Sequence, residues 1–451
     1  MKPVLLIDFG STYTKTTCVD VASARILGTA QSYTTVETDV GEGLENALRE
    51  LRAQTGISEF AERYACSSAA GGLRMIASGL VPTLTTEAAK RAALGAGAKV
   101  IRTYCYEMTE DDLEEIRALS PDILLLCGGT DGGNRDCIER NAKAVASLKP
   151  SFPIVLAGNR AAAGGCRRAL EAAGAEVIQC ENVMPAFNTL NVAPCQKAIR
   201  EVFLRRIVSA KGLTKASELI SGILMPTPAA VLTALMLFAE NFGELAAVDL
   251  GGATTDVYSI AKGLPSRAGT VLRGLPEPYA KRTVEGDIGM RYSAHGVADA
   301  AGVPRIAAAA ETSEAAVEAW LARVRETPGV LAETEEEKAM DFALASLAIE
   351  TGLTRHSGSI EEVFTPMGLA FQQTGKDLTQ VKHLLLTGGA LIHTGRAEEM
   401  AARAMAAVPP QSLAPREARI ILDRHYILSA MGLLSQKYQE TAREIMGREF
   451  L

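Results

Sequence analysis

Two segments of this chain repeat one order of residues, and this repetition constrains the fold more than any other feature. In each, an apolar run ends in an aspartate, a turn of glycine and hydroxyl residues follows, and an alternating run resumes. Two such runs joined by a glycine turn predict a β-hairpin. The residues concerned are Asp8, Gly10, Ser11 and Thr12 at the chain start, and Asp249, Gly251, Gly252, Thr254, Thr255 and Asp256 within Leu245–Ile260.

The chemistry of these two turns indicates a phosphate site. Because glycine has no side chain, backbone N–H groups can approach a phosphate there, and the hydroxyls supply further donors. The carboxylates of Asp8 and Asp249 would repel a phosphate in direct contact, so we expect Mg²⁺ or its bound water to lie between them. A single Asp-x-Gly turn is common as a plain tight turn, whereas two with the same chemistry are a much stronger signal.

Composition excludes several classes of protein. The formal net charge is −7 without a basic cluster, which argues against a nucleic-acid partner. The longest apolar helix candidate, Ala229–Ala239, is too short to span a bilayer, so we expect no membrane partner. Asp8 falls where a signal peptide needs an apolar centre, which predicts a cytoplasmic protein. The eight cysteines are scattered without a Cys-x-x-Cys motif, which predicts free thiols and no metal or iron–sulfur site held by cysteines within the chain.

Residues 80–190 differ in character from the rest of the chain. Strand and helix patterns alternate there, from KVIRTYCY to AEVIQCENV, which predicts a small parallel sheet inserted into a larger fold. The loop GGTDGGN at Gly128–Asn134 follows one predicted strand, at an edge where parallel sheets commonly bind ligands. It lacks the Gly-x-Gly-x-x-Gly spacing of a dinucleotide site, and its role stays open.

The remaining residues divide into two lobes. Helices are predicted at Gly43–Thr55, Asn191–Ala210 and Lys215–Ser221. The segment Arg282–Arg291 is dense in charge and glycine, and on its residues alone it predicts a solvated turn. The predicted division comprises a first lobe at 1–79 and 191–243, the inserted unit at 80–190, a second lobe at 244–425 with a mostly helical insert near 292–355, and a closing helix at 426–451.

The order of these features resembles the actin, Hsp70 and sugar-kinase superfamily of two-lobed ATPases. The resemblance is carried by the Asp8 hairpin, the helix start MPTPAAV, the Asp249 hairpin, the strand before Gly388-Gly389, and the small-residue helix around Gly432. It implies an α/β fold class, namely a two-lobed actin/Hsp70-like ATPase fold with an inserted parallel α/β unit. It also implies that the hairpins grip the phosphates of ATP from opposite lobes, that the diglycine turn packs against adenosine, and that two small-residue helices cross at the hinge.

Within that superfamily the sequence is similar to the glutamate mutase accessory proteins, the L component that accompanies adenosylcobalamin-dependent mutases. The motifs are IDFGSTYTK, CGGTDGGN, AAVDLGGATTDVYS, LPEPYAKRTVEGDIGMR and TRHSG. This similarity implies a slow Mg²⁺-dependent ATPase with a chaperone-like role, which reactivates or maintains the mutase by exchange of damaged cobalamin. It also changes the interpretation of Glu285 and Asp287 from turn residues to nucleotide-cleft residues. Whether the client is glutamate mutase or an aminomutase, and whether the chain forms a homo-oligomer, stays open.

The residue roles of the superfamily carry over only where residues match. The implied catalytic residues are Asp8, Asp249, Asp256 and Glu285, of which Asp8 and Asp249 also position the waters of Mg²⁺. The implied nucleotide-binding residues are Gly10, Ser11, Thr12, Lys15, Gly251, Gly252, Thr254, Gly388 and Gly389. Ala253 departs from the triple glycine of Hsp70, and the sequence leaves open whether Lys15 faces the cleft.

Two other functions are compatible with the same superfamily. A small-molecule kinase needs an acceptor pocket and a base, whereas carboxylates at both ends of the hairpin 249–256 fit attack by water better. An activator that feeds electrons to a dehydratase would need closely spaced cysteines after a glycine loop. The sequence has none in such a position, so this function ranks last.

Overall fold

A computed structural model describes residues 1–10, 13–33, 40–67, 73–210, 223–366 and 368–450. The chain divides into two compact units, Met1–Ala234 with Ser429–Ile445 and Leu235–Leu428 with Met446–Leu451. Ser11, Thr12 and the helix predicted at 215–221 lie outside the described residues. Within the described residues, no helix is long and apolar enough to cross a membrane.

The chain begins with three consecutive strands, after which strands and helices mostly alternate up to the helix that follows Pro226. They are β1 (Pro3–Phe9), β2 (Tyr13–Asp20), β3 (Arg25–Tyr33), α1 (Val40–Thr55), β4 (Glu62–Ser67), β5 (Leu73–Gly79), α2 (Glu87–Gly95), β6 (Ala98–Cys105), α3 (Glu110–Leu119), β7 (Ile123–Leu126), α4 (Asp136–Ser147), β8 (Ile154–Leu156), α5 (Arg160–Ala172), β9 (Val177–Gln179), α6 (Ala193–Ala210), β10 (Ile223–Pro226) and α7 (Thr227–Phe242).

The elements that follow are richer in helix. They are β11 (Leu245–Leu250), β12 (Thr255–Ile260), β13 (Thr270–Arg273), β14 (Ala280–Glu285), α8 (Ala294–Ala301), α9 (Val303–Ala310), α10 (Glu314–Glu326), α11 (Glu335–His356), β15 (Ser359–Thr365), β16 (Gly368–Thr374), β17 (His383–Thr387), α12 (Gly389–Ile392), α13 (Ala397–Ala407), β18 (Arg419–Leu422), α14 (Leu428–Leu434) and α15 (Gln439–Glu449).

Each unit contains a five-stranded sheet, and the two sheets have the same topology. In the first unit the order is β10-β4-β1-β2-β3, and in the second it is β18-β17-β11-β12-β14. In the first sheet the central strand β1 pairs antiparallel with β2, which pairs antiparallel with β3. In the second sheet β11 pairs in the same way with β12, and β12 with β14. On its other side, the central strand pairs in parallel with β4 in the first sheet and with β17 in the second. These strands pair in parallel with β10 and β18, respectively. This duplicated strand order is the architecture of the actin and Hsp70 type, which confirms the predicted fold class.

The predicted inserted sheet is also present, and all of its strands run parallel. Its order is β6-β5-β7-β8-β9, and it has an apolar core of its own, formed in part by Leu124, Leu126 and Ile154. Its strand β5 precedes residue 80, so this sheet begins before the predicted boundary. The division of the chain into the predicted domain ranges stays a proposal.

Helix α11 lies at the centre of the second unit's core. Thr334 and Glu337 form a capping box at its start, three glutamates occupy its first turn, and Arg355 and His356 occupy its last turn. These residues complement the exposed N–H groups and the dipole of the helix. Its apolar residues join those of β11, β12 and β17 in one buried cluster, so this helix supports the second hairpin from beneath.

Three interpretations of the sequence are corrected. The segment 282–291 is not entirely a turn, because its first half belongs to β14, which pairs with β12. Its charges obscured the strand pattern. The closing helix at 426–451 is two helices, α14 and α15, separated by four residues at 435–438. Finally, β13, β16 and β15 form a further, three-stranded sheet that the sequence did not predict.

Candidate functional site

The first candidate carboxylate, Asp8, lies near the end of β1 and is only 4% exposed. Its Oδ1 accepts a hydrogen bond of 2.6 Å from Thr227 Oγ1, and its Oδ2 accepts one of 2.9 Å from Ser429 Oγ. Thr227 is the first residue of α7, directly after β10, and Ser429 lies in the first turn of α14. Two hydroxyls from separate elements therefore fix the orientation of this buried carboxylate.

Lys15 lies on the same face of the sheet as Asp8. The register of β1 and β2 places the two residues directly opposite each other, and opposite residues of an antiparallel pair project to the same side. Lys15 is half-buried, and its charge acts on the thiol of Cys66, which lies opposite Asp8 on β4. The pKa of Cys66 is nevertheless raised well above its usual value, chiefly because the thiol is buried. The register therefore places Lys15 on the face of Asp8, and its contact with a nucleotide stays a prediction.

The helices α7 and α14 cross at two small residues. A Cβ added to Gly432 would collide with the carbonyl group of Ala230, so only glycine allows this approach. The predicted crossing of small-residue helices therefore exists, and it brings the start of α14 with Ser429 to Asp8.

In the second unit, the predicted hairpin is formed by β11 and β12, with Asp249 directly opposite Asp256. Its turn is closed by a hydrogen bond of 3.0 Å from Gly251 N to Thr254 O. The segment after β14 contacts this turn directly, because Met290 N donates to Gly251 O at 3.0 Å and Arg291 N donates to Gly252 O at 2.8 Å. The segment Glu285–Arg291 therefore holds the glycine turn in place.

Glycines make this close approach possible. A Cβ on Gly289 would lie 2.8 Å from Gly252 O and 2.6 Å from the carbonyl carbon of Ala253. The hydroxyl of Thr255 donates to Ile288 O at 3.0 Å, which adds a side-chain contact between the same two segments. The motif that carries the family resemblance therefore has a structural role beside the turn.

Asp256 contacts Arg282 in a largely buried ion pair. The guanidinium Nε and Nη2 lie 2.7 Å and 2.5 Å from Asp256 Oδ1, and the two side chains are 14% and 4% exposed. The neighbouring Tyr258 is also buried, and this burial raises the pKa of its hydroxyl well above the usual value. The catalytic role of Asp256 stays a prediction. The ion pair with Arg282 suits an orienting role of this carboxylate better than direct contact with a metal.

Glu285 and Asp287 both contact Arg355 near the end of α11. Arg355 Nη1 lies 2.8 Å from Glu285 Oε2 and 3.3 Å from Asp287 Oδ1, and the Glu285 contact is the largest cause of the raised pKa of Arg355. The neighbouring His356 is buried between Thr283 Oγ1 and Ser259 Oγ, each at 2.8 Å. Burial lowers the pKa of His356 well below its usual value. The motifs RTVEGDIGMR and TRHSG, which are far apart in the chain, thus meet at one place.

Gly388 packs against the strand that carries Asp249. Its φ is 103°, and an added Cβ would lie 2.7 Å from Leu250 N and 2.8 Å from Asp249 Oδ1. Gly389 instead begins α12 and would have nothing within 4 Å of an added Cβ. The two glycines therefore differ: Gly388 is required by packing, and Gly389 leaves open space.

Three polar residues beside these carboxylates were missed by the sequence analysis. Thr227 and Ser429 bind Asp8, and Asp423 accepts a hydrogen bond of 3.1 Å from Thr387 Oγ1. Asp423 also accepts from the backbone N–H groups of Ile427 and Leu428. Thr227 and Asp423 each follow the last strand of their sheet, so a duplicated strand order in the sequence pattern would have pointed to both.

The donor set fits a magnesium ion that keeps most of its water. Each hairpin carries a carboxylate near its glycine turn, Asp8 in the first and Asp249 in the second. Mg²⁺ dehydrates reluctantly and is commonly held through one or two carboxylates and substrate phosphates. Asp8 and Asp249 suit that mode of binding.

The fold and these sites define a duplicated α/β protein of the actin, Hsp70 and sugar-kinase class, with an aspartate and a glycine turn in each unit. The sequence model of the family described as MutL protein matches residues 4–450. The chain belongs to this family. Protein MutL of Clostridium tetanomorphum is 47% identical over 455 residues, covering 99% of this chain and 98% of that protein.

Solved structures with detectable similarity are much more distant. Nucleotide-free acetone carboxylase aligns with 96% of this chain and 70% of its own, at 13% identity and a TM-score of 0.39. The activator of 2-hydroxyisocaproyl-CoA dehydratase from Clostridium difficile, with bound ADPNP, aligns with 99% of this chain and 97% of its own, at 9% identity and a TM-score of 0.36. The fold assignment rests on the duplicated strand order.

Proposed function

We propose that this protein binds ATP with Mg²⁺, hydrolyses it slowly, and uses the cycle to reactivate or maintain an adenosylcobalamin-dependent mutase. The observation that carries the proposal is the repetition of an aspartate and a glycine turn at the same place in two sheets of identical topology. Membership of the MutL family supports the link to a mutase, because the motifs of this chain resemble those of the glutamate mutase accessory proteins.

Each hairpin would contribute N–H donors and one carboxylate. Gly10, Ser11 and Thr12 at the first hairpin, and Gly251, Gly252 and Thr254 at the second, are proposed to donate to phosphate. Magnesium would neutralise phosphate charge, and phosphoryl transfer needs little beyond positioning and such neutralisation. The carboxylates of Asp8 and Asp249 would orient metal-bound water.

The other predicted residues take supporting roles in the proposal. Lys15 would add positive charge on the face of Asp8, in keeping with its position opposite that residue. Gly388 and Gly389 would contact adenosine, and the open space at Gly389 is compatible with that contact. Glu285 keeps a catalytic assignment, although its ion pair with Arg355 makes it a candidate for holding the turn segment instead.

Calorimetry with ATP, in the presence and absence of Mg²⁺, tests nucleotide binding. We expect binding that Mg²⁺ strengthens. No heat in either condition would remove the basis of the proposed function. If sugars or short carboxylic acids accelerated ADP release, a small-molecule kinase would replace the ATPase.

The mutase role has its own test. A mutase inactivated by bound hydroxocobalamin should regain turnover when this protein, ATP, Mg²⁺ and free adenosylcobalamin are added together. Hydrolysis can drive exchange only if two conformations of this protein differ in affinity for the mutase. Asp249→Asn should bind nucleotide and associate with the mutase, yet fail to restore turnover. Recovery that is equally fast without ATP would show that hydrolysis does not drive exchange.

A further inference from the structure

A cavity of about 230 Å³ lies in the second unit where α9, α11 and α13 meet. Much of its wall is alanine, contributed by Ala308 and Ala309 of α9 and by Ala404 and Ala407 of α13. Ala308 and Ala407 are exposed, so this cavity opens to solvent. The methyl groups leave a volume well beyond that of a single water molecule, and its size suits a small organic molecule.

The charged side chains that line this cavity are two arginines and one glutamate, so positive charge is in excess. Glu350, whose side chain is 8% exposed, lies 2.7 Å from Nη2 of Arg305, so these two charges compensate each other. Arg403 is the second arginine of the lining, and its Nη1 donates to Ala309 O at 3.0 Å. Among the described residues Arg403 has no carboxylate partner. One oriented guanidinium therefore lies at the cavity without a compensating negative charge.

We propose that this cavity binds a small organic acid, with its carboxylate bound by Arg403 and a short apolar body against the alanine methyl groups. The planar fork of a guanidinium matches a carboxylate, and one of its N–H groups is already held by Ala309 O, which limits the orientations available to the rest. All residues of the lining belong to the second unit. None of the lining residues belongs to the glycine turn of the proposed nucleotide site.

The test is calorimetric titration of the full chain with linear carboxylates from acetate to hexanoate, at constant ionic strength. Inorganic phosphate and the n-alkylammonium ions of the same lengths serve as comparison probes. We expect saturable binding that strengthens with chain length, by about fourfold per methylene while the chain still fits the cavity. The alkylammonium ions should not bind.

Two neighbouring alanines of α13 provide a matched pair of variants. Ala407 lines the cavity and Ala406 does not, and both are exposed positions on the same helix. Ala407→Leu should reduce carboxylate affinity at least about tenfold by filling the cavity, whereas Ala406→Leu should leave it unchanged. Arg403→Gln should also weaken binding about tenfold or more, because it removes a charge-assisted hydrogen bond.

The outcomes separate the proposal from its alternatives. Absence of saturable carboxylate binding would overturn it, and so would equal affinities of the Ala407→Leu and Ala406→Leu variants. Binding of phosphate without any dependence on carboxylate chain length would exclude the apolar part of the site. Equal binding of alkylammonium ions would exclude Arg403 as the anion receptor. Nucleotide binding, measured separately, is expected to be retained in all three variants.

Discussion

Gly388→Ala is expected to destabilise the second unit and to displace Asp249, whereas the adjacent Gly389→Ala serves as a matched control. Gly388 has a φ of 103°, and its added methyl group would lie 2.8 Å from Asp249 Oδ1, with the backbone of Leu250 closer still. These neighbours are the strand that carries the carboxylate, so they cannot move without moving Asp249 itself. Gly389 would meet nothing within 4 Å.

The expected magnitude has two parts. At φ 103° and ψ 142° Gly388 occupies a region that is almost restricted to glycine, and a non-glycine residue there costs about 1–3 kcal/mol. Overpacking against fixed backbone adds typically about 1–3 kcal/mol. Gly388→Ala should therefore lower the free energy of unfolding by about 2–6 kcal/mol. Gly389→Ala should change it by no more than about 1 kcal/mol, and in the favourable direction, because alanine restricts the unfolded chain.

The single tryptophan of the chain makes the assay specific to this unit. Trp320 is 3% exposed and lies in the core of the second unit, so its fluorescence reports urea unfolding of that unit. Midpoints should be compared at equal m-values, since a changed m indicates an altered unfolded or native state. The reasoning would be refuted by equal midpoints for the two variants, or by a lower midpoint for Gly389→Ala than for Gly388→Ala.

Three further predictions concern buried polar groups. Asp8→Asn should reduce the rate of ATP hydrolysis on the order of 10²-fold or more, because it removes a preorganised charge. Calorimetry should still detect nucleotide binding, since the N–H donors remain. A hydrolysis rate equal to that of the wild type would contradict this prediction. Thr227→Val should lower the free energy of unfolding, measured by urea, by about 1.5–3 kcal/mol, since the 2.6 Å hydrogen bond to a carboxylate is lost; Thr233→Val, on the same helix, is the control. Burial lowers the pKa of Lys376 to about 7, so between that pH and its ordinary value of 10.5 the unfolded chain binds a proton that the folded chain has released. As the pH rises across that window, the free energy of unfolding of the wild type should increase relative to that of Lys376→Met by about 1.4 kcal/mol per pH unit. Urea unfolding at several pH values measures this difference. Parallel pH profiles of the two proteins would show that the folded lysine keeps its proton.

Local patterns were sufficient to predict several parts of this protein. Both hairpins, the helix at Thr227 and the parallel inserted sheet follow from alternation, glycine turns and apolar runs, each of which involves residues close together in the chain. The fold class followed from the resemblance of their order to a known superfamily. The catalytic and nucleotide-binding assignments stay predictions, because they depend on ligands that the amino-acid pattern only implies.

Other features depend on contacts between distant residues. Asp8 is bound by Thr227 and Ser429, which lie 219 and 421 positions away. The side of the sheet on which Lys15 lies is set by strand register, which a one-residue shift would reverse. No periodicity in the sequence encodes such pairings.

Charge can also conceal an element until its partner is known. The strand β14 carries Arg282, and the density of charge and glycine in 282–291 predicted a solvated turn there instead of a strand. Asp256, on the neighbouring strand, provides the carboxylate that pairs with this arginine. The sequence by itself therefore determined which segments form the two aspartate–glycine hairpins. Only the tertiary structure decided which distant residues hold them, because the free energy of burying a charged group depends on a partner that folding brings into contact.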